Sequence, residues 1–414
     1  MKILWFTNTP SCYKRSKAGY NGGGWIESLE RLVSVEQSVM LAVSFFHADD
    51  CFKVVQGNVV YYPIALSKSG IKKLKNNLFY SRRDKIEVDY YLSVIEDFKP
   101  DVIHVFGSEQ SFGLISQYTT VPVVIHIQGI LNPYLNAYFA PGNSKTDIIL
   151  SNIFKPRKLF QKLREVALWS RHAKREAHIL KKSNYFMGRT QWDKEVTLLY
   201  SPNAAYFYCS EVLRDDFYNA ATWECKPNGK IIIMSTISKT SYKGFDLILK
   251  TAKILKQLTS IDFEWNVFGI IEYNEWEDRL KINSKEVNIN LKGIVNSTSL
   301  VKNIQLADVF IHPSYIDNSP NSLCEAQIIG IPVISTNVGG ISSLIENGNT
   351  GFLIPANDPY TLAKRILEIK ENPEFARKIG YNARQLALKR HDRDIIKTDL
   401  LKIYNKLSDA RNTR

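Results

Sequence analysis

The sequence has few cysteines, and their arrangement excludes both a disulfide framework and a zinc site. The five cysteines are odd in number and scattered, and none form a Cys-Xaa-Xaa-Cys pair. We therefore expect a reducing compartment, which favours a cytoplasmic location. The first residues, Met1 to Asn8, turn polar too soon for a signal peptide and indicate a first core strand.

Long apolar segments are also lacking. No run of about 18 apolar residues occurs, so no transmembrane helix is expected. The hydrophobic content of 44% and the charged content of 23% are typical of globular proteins, and 414 residues predict two domains. Strands alternating with helical segments in both halves predict an α/β fold with parallel sheets.

The common phosphate-binding fingerprints are missing from the glycine-rich turn that follows the first strand. Gly22-Gly23-Gly24 would need a further glycine at position 27 to make a dinucleotide fingerprint, and Glu27 stands there. No Gly-Lys-Ser/Thr of a Walker loop follows. The turn can still bring backbone close to a phosphate or a sugar, and a plain flexible loop is the alternative.

The most informative stretch that is present runs from His312 to Gly330. Ser319 is predicted to cap a helix whose first residue is Pro320. Three backbone N–H groups would then be free at the positive end of the helix, where phosphate binds. They belong to Asn321, Ser322 and Leu323.

Two carboxylates flank this predicted phosphate site. Asp317 precedes the helix and Glu325 lies in its second turn. Carboxylate oxygens accept charge-assisted hydrogen bonds from sugar hydroxyls. The stretch therefore predicts a phosphate site between two groups that bind hydroxyls, as a nucleotide-sugar requires. An ordinary strand-loop-helix unit with solvated carboxylates is the alternative.

The stretch resembles the donor-site signature of the retaining family 4 glycosyltransferases of GT-B fold. The signature's two glutamates, with seven residues between them, correspond to Asp317 and Glu325, with Asp in the first place. Further segments follow in the family's order: Gly330-Ile331-Pro332-Val333, Val338-Gly339-Gly340, Gly348 to Pro355, and Asn357-Asp358-Pro359.

The resemblance implies two Rossmann-like parallel-sheet domains facing across a cleft. The expected divisions are an acceptor-binding domain at 1–200, an interdomain segment at 201–229, a donor domain at 230–388 and a helix at 389–414 that crosses back to the first domain. The sequence departs from the family at Ser238, where an arginine is usual. Lys239 next to it is expected to substitute as a point charge.

The remaining donor-site roles come from the same resemblance. Lys243 would pair with the diphosphate, and Gly23 and Gly24 would lie beneath it. The nucleotide base would lie near Gly293. Glu325 would bind the ribose and Asp317 the transferred sugar.

The first half offers fewer candidates, at the ends of its predicted strands. His104, His126 and Gln128 are expected to line the ligand crevice. In the family a histidine stands where Gln128 is, and either His126 or Gln128 could fill its role. Arg189 could hold a phosphate or form a salt bridge across the domain interface, and both readings stay open.

The net charge of +13 is concentrated in two runs. Lys155 to Lys182 carries ten Lys or Arg, and Lys68 to Lys85 carries seven. Both are interleaved with apolar residues, which suits an anionic lipid surface; two solvated helix faces are the alternative. No nucleic-acid-binding motif occurs, so no nucleic-acid partner is expected. The chain is expected at the inner face of the plasma membrane.

These features predict a retaining glycosyltransferase of bacterial-type surface polysaccharide synthesis. It would move a sugar from a nucleotide-diphosphate sugar to a hydroxyl of a glycan or lipid-linked glycan. No metal or other cofactor is expected, since Lys243 and backbone N–H groups would stabilise the leaving diphosphate. The alternatives are a catalytically silent membrane scaffold of this fold and a nucleotide-sugar epimerase, which would need histidines such as His104 and His126.

Overall fold

The computed structural model describes residues 1–13, 24–47, 52–65, 80–139, 156–226 and 229–412, with the single positions 141, 144, 146 and 149. The chain forms two compact units. Unit 1 comprises Met1–Asn132, Glu165–Val212 and Asp392–Arg414, and unit 2 comprises Pro133–Arg164 and Leu213–His391. None of the described helices combines the length and the apolar character that crossing a bilayer requires.

The strands form one sheet in each unit. In chain order they are β1 Lys2–Thr7, β2 Met40–His47, β3 Val54–Gln56, β4 Val59–Ala65, β5 Val102–Phe106, β6 Val123–His126, β7 Tyr185–Gly188 and β8 Ala205–Tyr208 in unit 1, and β9 Ile231–Thr236, β10 Phe263–Phe268, β11 Ile289–Gly293, β12 Val309–His312, β13 Val333–Thr336 and β14 Phe352–Ile354 in unit 2.

The described helices connect these strands. They are α1 Gly24–Val33, α2 Tyr80–Phe98, α3 Leu131–Asn136, α4 Pro156–Lys182, α5 Gln191–Tyr200, α6 Asp215–Tyr218, α7 Phe245–Leu258, α8 Asn274–Leu280, α9 Ser297–Leu306, α10 Asn321–Ile329, α11 Pro359–Glu371, α12 Pro373–Arg390 and α13 Arg393–Asn412. Short 3-10 turns occur at Ser111–Gln117, Ser241–Lys243, Lys285–Val287 and Ile341–Ser343.

The sheet of unit 1 has the order β3-β4-β2-β1-β5-β6-β7-β8 and is parallel except where β3 meets β4. The apolar run of β1 is buried on both faces, as a central parallel strand requires. Ile3 and Trp5 point to one hydrophobic cluster, and Leu4 and Phe6 point to the other. Helix α13 packs into the first of these clusters.

The sheet of unit 2 has the order β11-β10-β9-β12-β13-β14, and its strand pairs are parallel. Strand β12 lies in the interior of this sheet, between β9 and β13. The loop that leaves its carboxyl end therefore starts where ligands bind in open parallel sheets. The predicted fold class, α/β with two parallel-sheet units, is confirmed.

Two glycines let other backbone segments approach this loop. Gly244 has φ +74°, and a Cβ added to it would lie 2.0 Å from the carbonyl oxygen of Pro313. Gly339 has φ +52°, and its Cβ would lie 2.0 Å from the carbonyl oxygen of Asp317. The N–H of Gly340 donates to that same oxygen at 2.9 Å. Any side chain at position 244 or 339 would clash with the loop, so the position of Asp317 depends on glycine at both places.

Gly339→Ala should destabilise unit 2 by more than the backbone strain at a left-handed position alone would cause, because the new Cβ also clashes with Asp317. Gly348→Ala is the matched control, because Gly348 also has a positive φ of +78° and its added Cβ meets nothing within 4 Å. Both variants should lose roughly 1–2 kcal/mol through the left-handed backbone. Only Gly339→Ala also clashes with Asp317, so calorimetry should give it the lower melting temperature; equal temperatures would contradict this account.

Candidate functional site

The loop after β12 places the carboxylate of Asp317 against three other side chains of unit 2. The Nζ of Lys243 lies 2.6 Å from Oδ2 of Asp317, and the Nε2 of His312 lies 3.1 Å from the same oxygen. The hydroxyl of Tyr134 donates to the other oxygen, Oδ1, at 3.2 Å. We call these four residues the Asp317 cluster.

Burial and charge act against each other in this cluster. Burial alone would raise the pKa of Asp317, but the positive charge of Lys243 and the hydrogen bond from His312 hold it well below its usual range. Burial alone would lower the pKa of Lys243, but Asp317 outweighs it and the pKa is raised. For His312 burial prevails and the pKa is lowered. The cluster therefore contains a charged pair beside a neutral imidazole.

The second predicted carboxylate, Glu325, is also buried and is paired with an arginine. The Nε and an NH2 group of Arg214 each lie 2.8 Å from a different oxygen of Glu325, which makes a bidentate pair. The Glu325 side chain is only 3% exposed. Each carboxylate oxygen has a second lone pair, so the pair does not use up the acceptor capacity of Glu325.

The helix start between the two carboxylates differs by one residue from the prediction. Helix α10 begins at Asn321 and its N-cap is Pro320, so Ser319 is not the cap and Pro320 is not the first helical residue. The N–H of Leu323 donates to the carbonyl oxygen of Pro320 at 3.0 Å, so it is not free as expected. The N–H groups of Asn321 and Ser322 belong to the first turn, where an α-helix offers no internal acceptor.

The two other predicted donor-site residues of unit 2 have different partners. Lys239 is exposed and forms an ion pair with Glu272 at 3.2 Å. Gly293 ends β11 with both backbone groups engaged: its N–H donates to Ile270 at 2.9 Å, and its carbonyl accepts from Gly269 at 2.7 Å. Neither residue joins the Asp317 cluster, and their roles in donor binding stay predictions.

In unit 1, Gly23 lies outside the described residues and Gly24 begins α1 with φ +51°. Arg189 is buried and lies 3.2 Å from a carboxylate oxygen of Glu211, which is in the same unit. Its guanidinium also donates to the carbonyl oxygen of Gln128 at 3.4 Å. This ion pair lies within unit 1 and is not the salt bridge across the domain interface that is one of the two predictions for Arg189.

His104 and His126 are fully buried in unit 1 and belong to a chain of hydrogen bonds. The Nε1 of Trp5 donates to the hydroxyl of Tyr404 at 2.9 Å, and that hydroxyl lies 2.7 Å from Nδ1 of His104. The Nε2 of His104 lies 3.2 Å from Nδ1 of His126.

Only the first hydrogen bond of this chain has a direction fixed by chemistry. An indole N–H can only donate, so the Tyr404 oxygen accepts from Trp5. The directions of the bonds between Tyr404 and His104 and between His104 and His126 depend on which ring nitrogens carry the protons. Burial lowers the pKa of His104 to about 3 and brings that of His126 well below its usual value. Both imidazoles are thus held neutral.

One Asp-Xaa-Asp spacing, which could bring two carboxylates to a metal, occurs at Asp392-Arg393-Asp394. An oxygen of Asp392 accepts from the backbone N–H groups of Asp394 at 3.0 Å and Ile395 at 2.9 Å. Asp392 therefore caps the start of α13. Whether the reaction needs a metal stays a prediction.

Residues 224–386 match the family described as "Glycosyl transferases group 1". This segment is similar to the group 1 glycosyl transferases, and we call it the group 1 domain. It contains Lys243, His312, Asp317 and Glu325, while Tyr134 and Arg214 lie outside it.

The chain is similar to named bacterial enzymes over about a third of its length. The amylovoran biosynthesis glycosyltransferase AmsK of Erwinia amylovora is 30% identical over 149 residues, which are 34% of this chain and 36% of AmsK. The capsular polysaccharide biosynthesis glycosyltransferase CapM of Staphylococcus aureus is 30% identical over 115 residues, 28% of this chain and 30% of CapM. The chain spans about a third of the length of the curated relatives it matches.

Solved structures resemble the chain over nearly its whole length. Sucrose-phosphate synthase from Thermosynechococcus elongatus gives a TM-score of 0.72 at 16% identity, covering 99% of both chains. HepE of Anabaena, solved in complex with UDP, gives 0.65 at 15% identity, covering 98% of this chain and 100% of HepE. At this identity the likeness shows the fold alone, and it confirms the predicted GT-B fold.

Sequence reasoning missed three residues of the site. His312 is the first residue of the stretch from His312 to Gly330, and its position at the end of a predicted strand could have indicated a site residue. Tyr134 and Arg214 come from segments far from the signature. No motif around them indicates that they contact Asp317 or Glu325.

Acidification should destabilise unit 1 in part through the neutral imidazoles of His104 and His126. Their pKa values are lowered in the fold, so below about pH 6.5 the unfolded chain binds protons that the folded chain does not. Stability should fall as the pH falls, by about 1.4 kcal/mol per pH unit for each histidine. His104→Gln should flatten the decline in melting temperature between pH 7 and pH 5. The exposed His178 provides the control: His178→Gln should leave the decline unchanged, and an equal effect of both variants would contradict the account.

Proposed function

We propose that this chain is a glycosyltransferase that moves a sugar from a nucleotide-diphosphate sugar to a hydroxyl acceptor. The observation that carries the proposal is the Asp317 cluster. In it a half-buried lysine pairs with a carboxylate that precedes the start of α10 in the chain, and both residues lie in the group 1 domain. This combination supplies positive charge for a diphosphate and acceptor oxygens for sugar hydroxyls.

The chemistry requires that charge on the leaving diphosphate be stabilised as the glycosidic bond breaks. Lys243 keeps its proton because its pKa is raised. The N–H groups of Asn321 and Ser322 add the positive end of α10. We assign the ribose hydroxyls to Glu325 and the transferred sugar to Asp317. Reaction with retention and without a metal is part of the proposal, as the family 4 resemblance implies.

The acceptor is proposed from the relatives. AmsK and CapM are named for the biosynthesis of amylovoran and capsular polysaccharide. We therefore propose a glycan or lipid-linked glycan acceptor in surface polysaccharide synthesis. HepE was solved with UDP, which makes UDP-sugars the first donors to test.

The epimerase alternative is weakened by the surroundings of the histidines on which it rested. His104 and His126 are fully buried, hydrogen-bonded to each other and held neutral by a lowered pKa. An acid/base pair must exchange protons with substrate, and neither imidazole is exposed. The silent-scaffold alternative is decided by assay, because a scaffold would hydrolyse or transfer no nucleotide-sugar.

The first test is thermal stabilisation by UDP-, GDP- and ADP-linked sugars. A true donor should raise the melting temperature. At a concentration a hundredfold above its dissociation constant, it should add about 2.7 kcal/mol to the free energy of unfolding. Lys243→Met should lose this effect and lower transfer by about 10²–10³-fold, as loss of one charge-stabilising group does. Stabilisation by none of the donors would overturn the proposal.

The controls for Lys243→Met separate charge from folding. Lys243→Met leaves Asp317 without its cation, so its fold must first be checked by circular dichroism. Lys243→Arg keeps the charge and should retain part of the donor effect. Lys230 is exposed and pairs with Glu264 at 3.0 Å, and Lys230→Met should behave as wild type.

We also propose that the chain binds anionic membranes through α4. The Phe160 side chain is 69% exposed among the exposed basic residues Arg157, Lys158 and Arg164. An apolar ring with flanking cations suits the boundary of an anionic bilayer. Most of the second basic run, Lys68 to Lys85, lies outside the described residues.

Replacing Arg157, Lys158 and Arg164 with glutamate should abolish flotation with phosphatidylglycerol vesicles at low salt. Raising the salt from about 0.1 M to about 1 M should release the wild type, because the Debye length falls from about 10 Å to about 3 Å. Glutamate at the exposed Lys253, Lys285 and Lys364 makes the same change in net charge elsewhere. If that control also lost binding, or if wild type bound no vesicles, α4 would not be the membrane site.

A further inference from the structure

The segment Pro133–Arg164 belongs to unit 2, although unit 1 residues precede and follow it in the chain. Its beginning contacts the turn that carries Lys243. The Ser241 hydroxyl donates to the carbonyl oxygen of Tyr138. The rings of Tyr134 and Tyr242 meet edge to face at 5.3 Å. The chain around Tyr134 is therefore held against Ser241 and Tyr242, the two residues that precede Lys243.

The two oxygens of Asp317 have different partners in this arrangement. Oδ2 accepts from Lys243 at 2.6 Å and from His312 at 3.1 Å. Oδ1 accepts from the hydroxyl of Tyr134 at 3.2 Å. The oxygen that does not serve the ion pair is thus occupied by a neutral hydroxyl.

A phenol hydroxyl and a sugar hydroxyl present the same donor to a carboxylate. Each gives one O–H hydrogen bond and carries no charge. Burial and the charge of Asp317 raise the pKa of Tyr134 well above its usual value, so its proton stays on the oxygen. The contact of 3.2 Å is long for an O–H···O hydrogen bond, so a better-placed hydroxyl could replace it.

We propose that Tyr134 determines donor specificity: its hydroxyl occupies, on Oδ1 of Asp317, the place of a hydroxyl of the transferred sugar, which displaces it on binding. The inference rests on the proposed function, because it assumes that Asp317 binds that sugar. The inference adds that a donor sugar reaches Oδ1 of Asp317 only if it presents a hydroxyl that replaces the phenol hydroxyl of Tyr134. The nucleoside diphosphate part of the donor is indifferent to Tyr134.

Tyr134→Phe tests the proposal, since it removes the hydroxyl and keeps the ring that packs on Tyr242. Titration calorimetry would compare UDP with UDP-glucose, GDP with GDP-mannose and ADP with ADP-glucose. For the nucleotide-sugar that binds wild type, the affinity should rise about three- to tenfold, as removal of one competing hydrogen bond implies. The affinity for the matching free nucleotide should not change. Tyr360 is 66% exposed, and Tyr360→Phe should match wild type for every ligand.

The outcomes separate the two proposals. An equal change for nucleotide and nucleotide-sugar, no change, or weaker binding of the nucleotide-sugar would overturn the role of Tyr134 and leave the glycosyltransferase assignment standing. If no nucleotide-sugar bound wild type or Tyr134→Phe, the proposed function would fall and this inference with it. Far-ultraviolet circular dichroism of each variant establishes that the folds are the same.

Discussion

The ion pair of Lys243 and Asp317 is the constraint on which the site of unit 2 depends. Two charges taken out of water are tolerated only when each has a partner and hydrogen bonds, and removing one partner typically costs 3–5 kcal/mol. In this pair Lys243 and Asp317 are each other's partner, and His312 and Tyr134 add hydrogen bonds to Asp317. It also keeps a cation ready for an anionic ligand. The ammonium that this contact holds beside Asp317 is the charge that the diphosphate of the proposed donor would use.

The ion pair is positioned mainly by backbone contacts. Gly244 lets the Lys-Gly turn meet the carbonyl of Pro313, and Gly339 lets the Gly-Gly turn meet the carbonyl of Asp317. Both approaches are closer than any side chain would permit. The glycines of the signature thus fix the distance between Lys243 and Asp317, and the carboxylate and the ammonium follow from where these turns bring the chain.

The fold and part of the site followed from local sequence. Apolar runs such as β1 predicted buried parallel strands, and the Lys-Gly turn and the stretch around Asp317 predicted side chains that the structure does bring together. The partners Arg214 and Tyr134 could not be predicted, because they approach Glu325 and Asp317 from 111 and 183 residues away, and no periodicity encodes such contacts. The helix start was wrong by one residue: capping preferences favoured Ser319 followed by Pro320 at the first helical position, whereas the helix begins one residue later. The prediction that the N–H of Leu323 is free was wrong because, in a tight first turn, this group donates to the carbonyl oxygen of Pro320.

The hydrogen-bond chain from Trp5 to His126 has a consequence for how the protein is made. Tyr404, the link between Trp5 and His104, lies in the helix Arg393–Asn412, whereas the two side chains that it joins precede it by 399 and 300 residues. Until that helix leaves the ribosome, the indole N–H of Trp5 and the Nδ1 of His104 lack their partner and one face of the first sheet lacks part of its cover. Unit 1 therefore reaches its final packing only after unit 2 has been synthesised.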